Sequence, residues 1–552
     1  MTIALDRMTH QDRAASAAIQ PNRTARGGVV DRQSALHFTF DGRAMSGYAG
    51  DTLASALLAN GVRLVGRSFK YHRPRGILGA GSEEPNALVE LRTGAYREPN
   101  TRATTIELFD GLAASSQNRW PSLRYDLLSI NSVMAPVFAA GFYYKTFMWP
   151  AAFWEKVYEP MIRRAAGLGR AAGVPDPDHY EKSHAHCDVL VIGGGPAGLS
   201  AALAAGRSGA RVVLVEETDR LGGRLLAERR EIDGVEGRLW AEAAAAELAS
   251  LPTVQILLRT TLFGMYDHGQ YGAIERVTDH LAVAPEHMPR ERNWRIIARR
   301  AVVAAGAIER PHVFGDNDRP GVMLASAVRT YINRYGVLPG RRVAIFTSSD
   351  DGWRTLSDVS AAGGDVVVLV DTRPEVRPEL QALAFHTNVR VVLGGHVVGT
   401  AGRPELTAID VVDAAGRRSD VACDCLAMAN GWNPIVHFDA HLGQRPVWNE
   451  TLQAFVPDGD GVAHTSVGAA AGLLTLSEAL EGGARAGQAA ALQCGFSSSP
   501  APVVKTDPDY SGHVALWRVP RPRGKAFVDF QNDVAASDIE LADREGFRAV
   551  SI

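Results

Sequence analysis

The segment Cys187-Asp-Val-Leu-Val-Ile-Gly193-Gly194-Gly195-Pro196-Ala197-Gly198-Leu-Ser-Ala-Ala limits what this chain can fold into more than any other stretch. An apolar run enters a glycine turn, and a helix of small residues leaves it. A second apolar run, Val212-Val-Leu-Val215, then ends in an acid, Glu216, eighteen residues after the last glycine. Strand, turn, helix, strand and terminal acid in that order make a dinucleotide-binding βαβ unit. Gly193 permits the turn, Gly195 lets backbone N–H groups approach a pyrophosphate, and Gly198 lets the helix lie close to the strand. The positive end of the helix faces the phosphates. The expected ligand contacts are Gly193, Gly195, Pro196, Ala197 and Gly198, with Ala197 near the pyrophosphate and Glu216 accepting from the adenosine ribose hydroxyls. The charge of Glu216 and its neighbour Glu217 disfavours a 2′-phosphate, so NAD is expected over NADP.

At 552 residues, with 46% hydrophobic side chains, the chain can bury two or three cores. Its 58 basic and 61 acidic residues give no excess charge for binding nucleic acid. Cys187, Cys423, Cys425 and Cys494 are too few and too oddly spaced for a disulfide framework, so a reducing cytoplasm is expected. The most apolar candidate for a membrane span, Ile130 to Trp154, is interrupted by Pro136, Lys145 and Pro150, and no span is predicted.

Residues 1–30 are polar and rich in Arg and Ala, and read as a disordered lead. His37-Phe-Thr-Phe40, the turn Asp41-Gly42 and the run Asp51 to Asn60 predict a strand, a hairpin and a helix capped by Asp51. They open a small domain over 31–110. An aromatic linker segment follows over 111–185, including Phe142 to Trp149. The dinucleotide-binding domain covers 186–335 and 420–495, a second nucleotide-type βαβ domain is inserted at 336–419, and a linker and helix occupy 496–552. The predicted class is α/β.

These landmarks resemble the flavoprotein disulfide reductases with two dinucleotide domains. Val302-Val-Ala-Ala-Gly306 resembles their strand end, and Val467 to Gly472 sits where they carry a Gly-Asp pair. Two departures stand out. The second βαβ unit has Thr347-Ser-Ser-Asp350-Asp351-Gly352 in place of a glycine-rich turn, which obstructs and repels a pyrophosphate, so that domain is expected to be degenerate and empty. Ala469 stands where flavin-binding members place an aspartate on the ribityl chain. No redox Cys-x-x-Cys occurs, since Cys423-Asp-Cys425 is one residue short.

A closer match runs along nearly the whole chain. Gly66-Arg-Ser-Phe-Lys-Tyr-His-Arg-Pro-Arg-Gly76, Gly141 to Pro150 with Phe153-Trp-Glu, Asp350-Asp-Gly-Trp353, Gly524 to Phe530 and Asp538-Ile-Glu540 resemble the alpha subunits of heterotetrameric sarcosine oxidases. Opine oxidase and hydrogen cyanide synthase subunits are similar over the same domains. The resemblance implies NAD on this chain, and a flavoprotein beta subunit carrying FAD and FMN, with small gamma and delta subunits. It also implies oxidation of N-methylglycine, and adds Thr218, Gly223, Arg224, Leu262, Gly468, Ala469, Leu473 and Thr475 to the cofactor contacts. It places the folate-binding domain of that family after the Asp538 to Phe547 helix, so folate chemistry is not expected on these residues. A free-standing flavin-dependent reductase is the competing reading.

The N-terminal domain resembles a ferredoxin-like β-grasp. Iron–sulfur relatives place their cysteines just after the Arg-Pro-Arg-Gly segment, where this chain reads Ile77-Leu-Gly-Ala-Gly-Ser-Glu83-Glu84. Without thiolates, no iron–sulfur cluster is expected. Arg63, Arg67, Lys70, His72, Arg73 and Arg75 form a basic run that reads equally as a solvated face or as a docking site for a partner or anion. His184 and His186 beside Cys187 lack the spacing of a metal site, and no catalytic constellation emerges.

Overall fold

Asp41 and Gly42, both with positive φ, reverse the chain between strands Asp31–Phe40 and Arg43–Ala49, as a two-residue hairpin requires. The computed structural model describes residues 20–133, 149–165, 169–497, 504–507 and 512–548, so part of the aromatic motif, 141–148, lies outside the described residues. Its contacts divide the chain into two units. One comprises Met1–Pro177, Pro311–Ala429 and Leu516–Ile552; the other comprises Asp178–Arg310 and Asn430–Ala515.

In the first unit, helix Leu53–Ala59 is capped by Thr52, not by Asp51 as expected. The Thr52 hydroxyl accepts from the Ser55 N–H, and the Ser55 hydroxyl accepts from the Thr52 N–H. Asp51, one residue too early for a cap, accepts instead from Arg23 Nη2 at 2.6 Å, the Tyr48 N–H at 2.9 Å and Ser55 Oγ at 2.7 Å. Arg23 belongs to the stretch expected to be disordered, yet this ion pair is buried. The sheet runs in the order Arg43–Ala49, Asp31–Phe40, Leu112–Ser116, Leu88–Leu91, Glu98–Arg102, with its first and third members pairing antiparallel and parallel to Asp31–Phe40. That is a β-grasp sheet. Its central strand lies past the expected boundary at 110, because Leu-Ala-Ala-Ser-Ser carries no β-branched or aromatic signature.

The basic run turns inward. Arg75 is buried and pairs with Asp318 and Asp533. Arg73 pairs with Asp316 and Asp318, Arg67 donates to the Leu123 carbonyl, and the buried His72 ring meets Asp126 at 2.8 Å. These side chains tie loops together and form no exposed basic face.

The same unit holds an all-parallel sheet in the order Val322–Leu324, Cys425–Ala429, Arg342–Thr347, Asp365–Asp371, Val391–Leu393. Near-continuous apolar strands and helices Ala325–Asn333 and Asp351–Ala361 bury it. Its first turn is closed from within. Thr347 Oγ1 accepts from the Ser349 N–H at 3.0 Å, and a Cβ on Gly352 would lie 2.4 Å from that of Thr347. The acids predicted to repel a phosphate are internally paired: Asp350 meets Arg373 at 2.7 Å, and Asp351 meets Arg354 at 3.4 Å and Arg329 at 3.5 Å. Arg373 also reaches Asp371 at 2.8 Å, to which Trp353 Nε1 donates at 2.8 Å.

The second unit is built on a sheet in the order Val254–Leu257, Val212–Val215, Tyr180–Ile192, Glu291–Val303, Gln270–Arg276, Thr260–Tyr266, with His464–Ser466 added in parallel to Glu291–Val303. Helices Pro196–Arg207 and Leu476–Gln493 cross closely because Gly483 and Gly487 face the Ala197 and Ala201 carbonyls, where a Cβ would come within 2.0 and 2.2 Å. Among the described residues no helix is long and apolar enough to cross a membrane.

Candidate dinucleotide site

The turn between strand Tyr180–Ile192 and helix Pro196–Arg207 has the form that its glycines predict. Gly193 adopts φ +100°, and a Cβ there would lie 2.4 Å from the Ala304 carbonyl oxygen. A Cβ on Gly198 would lie 1.8 Å from the Gly193 oxygen, so this glycine lets helix and turn touch. Gly195 differs from both: nothing lies within 4 Å of where its Cβ would be. It is the N-cap of a twelve-residue helix with no side chain capping it and Pro196 in the first turn. Backbone N–H groups and a positive helix end thus meet open space, which fits a pyrophosphate.

Glu216 is buried at the end of strand Val212–Val215. One carboxylate oxygen accepts from the Gly194 N–H at 2.8 Å, and the other accepts from the N–H and hydroxyl of Thr218, each at 2.9 Å. A carboxylate offers about four acceptor positions, so a ribose hydroxyl can be added to these three. Glu216 therefore locks the turn. Glu217 is exposed, and its carbonyl accepts from Arg276.

Gly222 and Gly223, both with positive φ, bring the following loop against the turn: the Gly222 N–H donates to the Gly194 carbonyl, and a Cβ on Gly223 would lie 2.9 Å from Gly195 Cα. Arg224 comes next and stacks on Trp432, its guanidinium carbon 4.0 Å from the ring centroid. Gly468 reaches the same place from the distant end of the unit, where its Cβ would be 2.8 Å from that of Ala197. Ala469 lies in the single turn Gly468–Ala471, which packs against strand Trp432–Pro434.

Three more of the residues expected to line the cofactor lie as follows. Leu262 is buried in the apolar core of the Thr260–Tyr266 region. Thr475 caps helix Leu476–Gln493, its hydroxyl accepting from the Glu478 N–H. Leu473 lines a cavity of about 370 Å³ beside His464 to Val467. Trp432 is the contact that sequence reading missed, since only the ladder joining Ala307–Glu309 to Trp432–Pro434 brings it to Arg224. Burial holds the cysteine thiols in the protonated form: Cys187 and Cys423 are pushed up to about 12 and Cys425 is also raised, so all three are packing residues.

The chain was compared with known proteins. It is 52% identical over 96% of its length to the sarcosine oxidase subunit alpha of Rhizobium meliloti (strain 1021), of which it covers 53%. The chain is a homologue of sarcosine oxidase alpha subunits. It spans about half the length of these relatives; the subunit from Corynebacterium sp. (strain P-1) is 37% identical and 51% covered. Residues 523–552 match the sarcosine oxidase A3 domain, and residues 188–275 match the FAD dependent oxidoreductase family. In three dimensions the chain resembles L-proline dehydrogenase from P. horikoshii, with a TM-score of 0.66, 18% identity, and coverage of 96% of this chain and 88% of the other; this likeness concerns the fold.

Residues 33–119 match the 2Fe-2S iron-sulfur cluster binding domain. This overturns the cofactor expectation, which excluded an iron–sulfur component. That expectation rests on missing thiolates at one loop, whereas the match extends over the whole domain. Within 33–119 there is no cysteine, and the loop carboxylates are occupied: Glu84 accepts from the N–H groups of Leu78, Gly79, Asn86 and Ala87 at 2.6–3.0 Å. The residues present do not fit the usual thiolate ligand set, so no ligand is assigned and no step runs through a cluster. The family matched over 188–275 is FAD dependent, so the glycine turn by itself does not choose between FAD and NAD. The motif itself reads the AMP half and pyrophosphate that both share.

Proposed function

We propose that this chain is the dinucleotide-binding component of a multi-subunit sarcosine oxidase. In the reaction, N-methylglycine, water and oxygen give glycine, formaldehyde and hydrogen peroxide; tetrahydrofolate taking up the methyl carbon is the alternative fate. The reading is carried by the 52% identity over 96% of the chain. The dinucleotide would lie with its pyrophosphate at Gly195 and Ala197 and its adenosine ribose on Glu216. Glu216, which already fixes the Gly194 N–H and Thr218, would hold the ribose with no rearrangement of the turn. When bound, a flavin supplies the two-electron acceptor that amine oxidation needs. The protein groups that would take the substrate are assigned to a flavoprotein beta subunit, with small gamma and delta subunits completing the assembly.

Hydrogen peroxide release from sarcosine tests the reading, using the chain alone and co-expressed with such a beta subunit. Turnover only in the co-expressed sample is expected. Full turnover by the chain alone would favour a free-standing flavoenzyme. The visible spectrum of the purified chain, and titration with FAD and NAD, identify the dinucleotide.

A further inference from the structure

Trp432 lies far from the glycine turn in sequence and beside it in space. Its backbone is fixed twice: it faces Glu309 in the antiparallel ladder Ala307–Glu309 with Trp432–Pro434, and its carbonyl accepts at 3.4 Å from the buried Arg310 guanidinium, which also donates to the Asn433 side chain at 2.8 Å and to the Gln453 carbonyl at 2.9 Å. Its indole is buried, with the Arg224 guanidinium stacked on its face at 4.0 Å. Arg224 also pairs with Glu228 one helical turn further on, and it directly follows the glycine packed on Gly195. A flexible cation next to the expected pyrophosphate is thus held between an aromatic plane and a carboxylate.

We infer that Trp432 is a positioning residue for the dinucleotide, acting through Arg224. The inference rests on the reading that the Gly193 to Gly198 turn binds a dinucleotide. An arginine free to sample its rotamers must be ordered when an anion binds, at a cost in affinity; contact with the indole face orders it beforehand. Cation–π attraction to a desolvated indole is strong enough to do this.

The test measures the dissociation constants of FAD and NAD, by calorimetry on the purified chain, for the unaltered protein and for Trp432→Ala, Trp432→Phe, Arg224→Ala and the Trp432→Ala/Arg224→Ala double variant. Trp432→Ala should weaken the bound dinucleotide roughly tenfold, as the lost stack implies. Trp432→Phe, which keeps an aromatic face, should stay within about threefold. In the Arg224→Ala background, removing the indole should change affinity by less than about twofold, because the two act as one. Undiminished binding by folded Trp432→Ala overturns the inference, as does an equal loss with and without Arg224. If neither dinucleotide binds the unaltered chain, the underlying reading fails instead.

Discussion

Gly195 and Gly198 are three residues apart in one motif, yet the space around them is opposite. A methyl group on Gly198 would overlap the Gly193 oxygen at 1.8 Å, whereas one on Gly195 would enter the open space proposed for the pyrophosphate. Gly198→Ala should therefore destabilise the fold by about 3 kcal/mol, as overpacking in a rigid place does. Gly195→Ala should leave stability within about 0.5 kcal/mol while weakening the dinucleotide at least about tenfold. Thermal unfolding and calorimetric titration of the two variants separate these outcomes. The glycine pattern was legible in the sequence because each glycine answers a local steric demand. The roles of Leu262 and Thr475 were not, because a core position and a helix cap depend on what packs around them.

Among the elements, the closed turn of the parallel sheet and the loop at Glu84 both hold buried charge. Arg373 neutralises Asp350 and Asp371, which are 2% and 0% exposed. Arg373→Ala removes the cation beside both buried carboxylates and should cost about 3–5 kcal/mol in denaturant unfolding. The sequence displayed Asp350 in the obstructed turn, but not the arginine that pairs with it, which arrives just after the strand Asp365–Asp371. At Glu84, burial raises the carboxyl to about 7 even though four backbone N–H groups pull the other way. The folded state holds a proton that the unfolded state, near 4.5, has released, so this group's stabilisation is full below pH 4.5 and is lost as pH rises through 7. Unfolding free energies of the unaltered protein should fall by about 3 kcal/mol more than those of Glu84→Gln between pH 4.5 and 7.5, at 1.36 kcal/mol per pH unit. A parallel pH dependence of the two would refute this.

At the scale of the molecule, contacts separate Asp178–Arg310 with Asn430–Ala515 from the rest of the chain. The residues proposed to hold the dinucleotide all fall in that unit. A bound dinucleotide should raise only that unit's calorimetric transition, by about 2.7 kcal/mol at a hundred times the dissociation constant, and leave the transition of the other unit in place. Equal shifts of both transitions would contradict the assignment.

Local pattern alone determined the βαβ unit, its glycine turn, its terminal acid and the resemblance to sarcosine oxidase alpha subunits, because these depend on residues close in sequence. Tertiary structure decided the rest. It turned the basic run from a candidate surface into inward contacts with Asp126, Asp316, Asp318 and Asp533, since partners more than fifty residues away are invisible to local pattern. It made the weakly patterned Leu112–Ser116 a central strand, where parallel pairing with Asp31–Phe40 outweighs poor strand propensity. It also set Trp432 on Arg224, a contact that exists only because the chain, after folding a separate parallel sheet, returns to complete the unit it left.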